Sequence, residues 1–161
     1  MIEGSFPPVS ARPARNEDLG TLVHLYQGLE WEMEGLHPMW PLADGLAEPV
    51  AAAFEEALSS PDAMIVIGEI EGFPVGFALA TIDALRPRAA GERIGSIRLI
   101  YVDPEARAVG VGEAIAEELL ERLRARGVER FDAYVLPGHR LVKNFFESAG
   151  FSARSIVMHR G

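Results

Sequence analysis

Apolar residues fall along this chain in two rhythms, and the switches between them mark its elements. Val111, Ile115, Leu119 and Leu123 recur every four residues, while Glu113, Glu117, Glu118, Glu121, Arg122 and Arg124 fill the positions between. That interval puts the apolar side chains on one face, so it predicts an amphipathic helix lying on a sheet. A basic last turn and then Gly127, which tolerates a left-handed stop, mark its end. Leu19, Leu22, Tyr26 and Leu29 line one face of an earlier helix, entered through Asn16 as N-cap with Glu17 and Asp18 in the first turn. A second short helix is expected from about Pro49 to Ser60, because proline suits a first turn and Pro61 stops it. The other rhythm is the unbroken apolar run. Ile97-Arg98-Leu99-Ile100-Tyr101-Val102 reads as a buried strand, ended by Pro104. Ala63 to Ile70 and Val75 to Ile82 flank Glu71-Gly72-Phe73-Pro74, a hairpin signal. Phe131 to Leu136 predicts another strand, Arg140 to Ala149 a short helix, and Phe151 to His159 a closing strand.

Length and composition bound the reading without sharpening it. The 161 residues are expected to form one domain with a proper core, residues 1–161, of which only the first eight look loosely held. The chain has no cysteine, which excludes a disulfide framework, a thiol nucleophile and a zinc-cysteine site. No apolar run approaches a membrane span, and the N-terminus lacks a basic region followed by an apolar one, so the expected compartment is the cytoplasm. A net charge of -9 argues against a nucleic-acid partner, since phosphate contacts supply most of such binding. It mildly favours cationic partners, although acidic soluble proteins are ordinary.

The candidate chemistry lies between the strand ending at Val102 and the helix beginning near Val111. The first turn of a helix leaves several N–H groups without partners, and an anion can satisfy them. Gly110 and Gly112 carry no side chain to hold a phosphate away, and Arg107 adds a cation with several donors, so a diphosphate suits the turn. The alternative is a tight turn whose glycines only ease packing. A P-loop would require Lys followed by Ser or Thr where this chain has Glu113-Ala114. A dinucleotide fingerprint would require a small residue where Ile115 stands, and a first glycine closer to the strand.

Arg107, Gly110 and Gly112 spell Arg-x-x-Gly-x-Gly between a strand ending in Val-Asp-Pro and an amphipathic helix, and here the chain resembles the GNAT superfamily of acyl-CoA-dependent N-acetyltransferases. Ala11-Arg12-Pro13 looks like the family's first strand, and Phe145-Phe146-Glu147-Ser148-Ala149-Gly150-Phe151 resembles its Phe-Tyr-Glu-x-x-Gly-Phe ending. The resemblance implies an α+β domain: a mixed, mostly antiparallel sheet of six to seven strands that splays open near Val102, flanked by about four helices. It implies acetyl-CoA as acyl donor, no metal, and direct attack by a primary amine. Ile100, Tyr101 and Val102 would align the pantetheine arm, with the Val102 backbone N–H polarising the acetyl carbonyl. Arg107, Ala108, Val109, Gly110, Val111, Gly112 and Glu113 would cradle the pyrophosphate. His139 stands where a coenzyme-contacting asparagine is usual, and Arg140 and Lys143 would approach the adenosine phosphate.

Other assignments depart from that pattern or go beyond it. Glu30, Trp31, Glu32, Glu34, His37 and Trp40 cluster where the family often builds its acceptor wall, and carboxylates beside indoles can hold an ammonium group. A solvated helix end with two tryptophans turned to the core is the other reading. Phe146 replaces the tyrosine that in many members protonates the departing thiolate, leaving Tyr134, Tyr101 or water for that task. His139 could serve as acid or base, since imidazole titrates near neutrality. The coenzyme strand offers Ser96 and Arg98 where some members keep a general base. His24 and His159 show no ligand-type spacing, so no metal is expected. The resemblance implies a small-molecule or peptide amine as acceptor, and the family often forms homodimers. The rival reading is a non-catalytic acyl-CoA sensor, which Phe146 keeps open; a nicotinamide-dependent oxidoreductase would have to bind a dinucleotide.

Overall fold

The structure, a computed structural model, describes residues 7–36, 45–85, 92–136, 138–158 and 160. In chain order these residues form β1 (Val9–Pro13), α1 (Leu19–Glu34), α2 (Val50–Ser59), β2 (Ala63–Ile70), β3 (Phe73–Ala84), β4 (Arg93–Val102), α3 (Val111–Ala125), β5 (Phe131–Ala133) and α4 (Arg140–Ser148). The strands make one sheet in sequence order, antiparallel from β1 to β4, with β5 added parallel to β4.

Helices cover both faces of this sheet, which is why its strands read as continuous apolar runs. Met64, Val66, Ala78, Ala80 and Ile97 pack with Val111, Ile115, Leu119 and Leu123 of α3. Their alternates Ile65, Ile67, Phe77, Leu79 and Leu99 pack with Leu22, Leu25, Tyr26 and Leu29 of α1 and Phe54 of α2. The β2–β3 turn is tighter than expected: Glu71 and Gly72 have φ of 51° and 81°, the left-handed pair that joins two strands with right-handed twist, so β3 begins at Phe73.

Among the described residues the sheet has five strands, not the six to seven expected. Residues 151–158 form no strand, and His159 lies outside the described residues. Phe151 packs edge-on against Phe146, and Arg154 pairs with Asp132, which tethers the segment. Between Phe151 and Ile156 stand only Ser152, Ala153, Arg154 and Ser155, so no alternating apolar face exists to dock, and Ile156, Val157 and Met158 are exposed. The strand expected over Phe131 to Leu136 likewise ends at Ala133. No described helix is long and apolar enough to cross a membrane.

The entry to α1 is fastened by Asp18, not by Asn16. Its carboxylate accepts from both terminal nitrogens of Arg12, each at 2.8 Å, and from the Arg15 backbone N–H at 2.7 Å. The Arg12 guanidinium, chiefly, holds this carboxyl below its usual range. A carboxyl so lowered contributes stability that is complete above its ordinary pKa and disappears as acid protonates it. Asp18→Ala is therefore expected to cost about 2 kcal/mol at neutral pH, the worth of a charge-assisted bond, and distinctly less near pH 3. Urea unfolding of both proteins at the two pH values checks this.

Candidate functional site

The sheet opens where β4 outruns β5. Pairing between them covers only Gly95, Ser96 and Ile97, and the last bond runs from the Tyr134 N–H to the Ile97 carbonyl at 3.0 Å. The next residue, Arg98, is the extra one in a register shift against β3, where Leu79 faces Leu99 but Ala80 faces Ile97. Such a bulge bends its strand and increases its twist, which carries Leu99–Val102 away from β5. Asp103 donates its N–H to the Val75 carbonyl of β3 at 2.8 Å. Since backbone groups alternate along a strand, the Val102 N–H and C=O turn to the opposite, open side. In agreement, the Val102 carbonyl accepts from Arg107 Nε at 2.8 Å.

The chain then makes a 3₁₀ turn over Pro104–Ala106, held by Ala106 N–H on the Asp103 carbonyl at 2.8 Å. Ala108 and Gly110 both take left-handed conformations, with φ of 66° and 98°. Val111 starts α3 with Gly110 as N-cap and no side-chain cap, and the bond from Ala114 N–H to the Gly110 carbonyl, at 3.0 Å, lies one turn in. The N–H groups of Gly110, Val111, Gly112 and Glu113 therefore precede the first intrahelical donor and leave this end with partial positive charge. The two glycines do different work. A Cβ on Gly110 would meet nothing, so its φ is what requires glycine, whereas a Cβ on Gly112 would lie 3.1 Å from the Phe145 ring, so its bareness lets α4 close on α3. Ala108 and Val109 are exposed at the turn.

Arg107, expected to offer a cation to an anion, reaches across the opening to α1. Its two terminal nitrogens meet the two carboxylate oxygens of Glu32 at 2.7 and 2.9 Å, and its guanidinium lies 5.8 Å from the centre of the Tyr101 ring. The partners are 75 positions apart, so no local pattern could announce the pair. Tyr101 is buried against Gly28, where a Cβ would stand 2.6 Å from its hydroxyl. Burial, with the charges of Asp103 and Glu32, pushes the Tyr101 phenol up, so it stays a neutral donor. Beside it a cleft of about 240 Å³ is lined by His24, Leu25, Gln27, Gly28, Tyr101 and Asp103.

His139 leads into α4 and is buried, with 8% of its surface exposed. Burial lowers its pKa most, Arg107 lowers it further, and Glu32 opposes them, so the imidazole is neutral at physiological pH. The fold thus resists charging this ring, and stability falls as pH drops below its ordinary value near 6.5, where the unfolded chain binds the proton more readily. His139→Gln is expected to flatten the drop in melting temperature between about pH 7.5 and pH 5.5, and calorimetric melts at both values measure it.

The remaining candidates are dispersed. Tyr134 is half exposed beneath Arg98, whose guanidinium lies 4.5 Å from the ring centre and is itself held by Thr81 and Asp83. Lys143 pairs with Glu147 at 2.7 Å on an exposed face of α4, and Arg140 is exposed on the same helix. Phe146 is buried between Phe145 and Phe151. On α1, Trp31 is 79% exposed, Glu34 is exposed and Glu30 half buried, so this indole does not turn to the core. His37 and Trp40 lie outside the described residues. Among the described residues no group of three or more His, Cys, Asp or Glu could hold a metal ion.

Comparison with known proteins agrees with this geometry. The model of the acetyltransferase (GNAT) family matches residues 25–151. A mycothiol acetyltransferase of Thermobispora bispora is 34% identical over 95 residues, which is 58% of this chain and 32% of that protein. The chain thus spans about a third of the length of this curated relative. Among solved structures, a putative acetyltransferase from Agrobacterium tumefaciens superposes with a TM-score of 0.72 at 23% identity, covering 94% of this chain and 99% of the other. A predicted acetyltransferase from Clostridium acetobutylicum, solved with acetyl-CoA, gives 0.74 at 17% identity and covers 96% of each chain. With four-fifths of its length inside the family model and the same fold in these structures, the chain belongs to the acetyltransferase (GNAT) family.

Proposed function

We propose that this chain transfers an acetyl group from acetyl-CoA to a primary amine by direct attack. The observation that carries the reading is continuity: the unpaired edge of β4 runs through one left-handed turn into the uncapped start of α3. An edge of spaced N–H and C=O groups suits an amide-bearing arm, and a helix N-terminus suits a diphosphate. Ile100, Tyr101 and Val102 align the arm. The main chain from Ala108 to Glu113 holds the diphosphate, with Arg107 at its base, and Lys143 serves the adenosine end.

The amine is mostly protonated at neutral pH, with a pKa of about 10, so attack requires loss of a proton. His139, kept neutral by burial, can take it directly or through water. The Val102 N–H, fixed on the open side, donates to the thioester carbonyl as negative charge grows there. Phe146 has no proton to give; Tyr134 and the neutral phenol of Tyr101 do. Glu30, Trp31 and Glu34 at the end of α1 form the described part of the acceptor wall, a suitable surface for a cationic small molecule or peptide. The chain works in the cytoplasm, alone or as a homodimer, without nucleic acid, membrane or metal.

Calorimetry with acetyl-CoA, coenzyme A and NAD, followed by thiol release across a panel of amines, tests the reading. Binding of both coenzyme A species and release with at least one amine supports it. Binding without release across the panel identifies a sensor, and binding of NAD alone refutes both.

A further inference from the structure

We infer that Glu32 is a positioning residue for the acyl-donor site: through Arg107 it fixes the Val102 carbonyl, and so holds the N–H of the same residue on the open edge of β4. The inference rests on the proposed transferase reading. It assigns a task to a carboxylate that sequence reasoning placed only in the acceptor cluster.

Three bonds define the strut. Arg107 Nε donates to the Val102 carbonyl at 2.8 Å, while its terminal nitrogens meet Glu32 at 2.7 and 2.9 Å. Guanidinium is planar, so a two-point grip by Glu32 sets the direction in which Nε points. The side chains of Arg107 and Glu32 are only 27% and 20% exposed, so water screens the pair less than it would a surface pair. The Tyr101 ring beneath the guanidinium and the bare Gly28 beside that ring keep α1 close enough for Glu32 to reach. On its other side β4 is laddered to β3 as far as Val102. The strand end is therefore held from both edges, and with the Val102 carbonyl engaged by Arg107 the N–H of that residue faces the open edge for a ligand. With its charge met by Glu32, Arg107 serves the donor site mainly through β4, not as a free cation on phosphate.

This predicts a division between binding and chemistry. Coenzyme A lacks the acyl carbonyl, so losing the strut should leave its dissociation constant within about threefold, while kcat for acetyl transfer falls about tenfold or more. Glu32→Ala, Arg107→Met and the double variant are compared with the native protein by calorimetry with coenzyme A, by steady-state rates with acetyl-CoA, and by the ¹⁵N–¹H resonance of Val102. Each single variant should give the same kcat loss, the double variant no more than either alone, and the Val102 resonance should move in all three. Glu32→Gln, whose amide oxygen keeps one of the two acceptors without the charge, should restore part of the rate. A free phosphate-gripping arginine gives the opposite pattern: Glu32→Ala tightens coenzyme A binding, Arg107→Met weakens it in a salt-dependent way, and Val102 does not shift. That result overturns the inference. Failure of the native protein to bind coenzyme A instead refutes the transferase reading, and the Val102 resonance still reports on the strut.

Discussion

Gly110→Val is expected to weaken coenzyme A binding about a hundredfold while leaving the fold intact. Gly110 sits at a φ of 98°, a conformation that costs an L-residue about 1–2 kcal/mol and a β-branched one more. A Cβ there meets no other atom, so the variant is free to relax by rotating the backbone of the turn instead of disturbing the core. That rotation re-aims the N–H groups at the start of α3. Each charge-assisted bond lost to a phosphate is worth about 1.5–3 kcal/mol, and losing one or two gives the stated factor. Gly112→Ala offers the contrast, since its Cβ would press on the Phe145 ring at 3.1 Å and act first on stability. Calorimetric titration together with thermal melting separates the two. A Gly110→Val protein that folds and binds coenzyme A normally would show that the turn does not hold the diphosphate.

The second large effect concerns Val102→Pro, expected to lower kcat about a hundredfold with coenzyme A affinity nearly unchanged. Proline removes one N–H. Here that N–H faces the open edge, because the neighbouring Asp103 N–H is the one bonded to β3. No ladder bond is lost, and proline is tolerated at such an edge. A preorganised donor on a developing oxyanion contributes about a hundredfold to a thousandfold, and only acetyl-CoA, not coenzyme A, presents the carbonyl that needs it. Rates with acetyl-CoA and calorimetry with coenzyme A on one preparation give both numbers. Unchanged turnover would remove Val102 from the mechanism.

What the sequence disclosed and what it hid follow from the range of the interactions involved. The α3 helix was legible because Val111, Ile115, Leu119 and Leu123 carry their period in fifteen residues, and β2 and β4 because burial on both faces leaves a strand unbroken by polar residues. The turn was legible because left-handed backbone and an open helix start demand glycine locally, although the packing role of Gly112 depends on Phe145 of another helix. The Glu32–Arg107 pair, the burial of His139 and the close approach of Gly28 to Tyr101 arise only when distant segments meet. At the N-terminus the local preference for Asn16 as cap yielded to Asp18, which serves both Arg15 N–H and Arg12. The closing strand failed because Ile156, Val157 and Met158 suggest a strand by composition, whereas Ser152 to Ser155 give it no face to bury.

Titration of ¹⁵N-labelled protein with coenzyme A tests most directly whether β4 and the α3 start form the donor site. The amide resonances of Val102, Gly110, Val111, Gly112 and Glu113 should move together and saturate at one affinity. A saturating response confined to other parts of the sheet, or none at these five amides, would contradict the assignment.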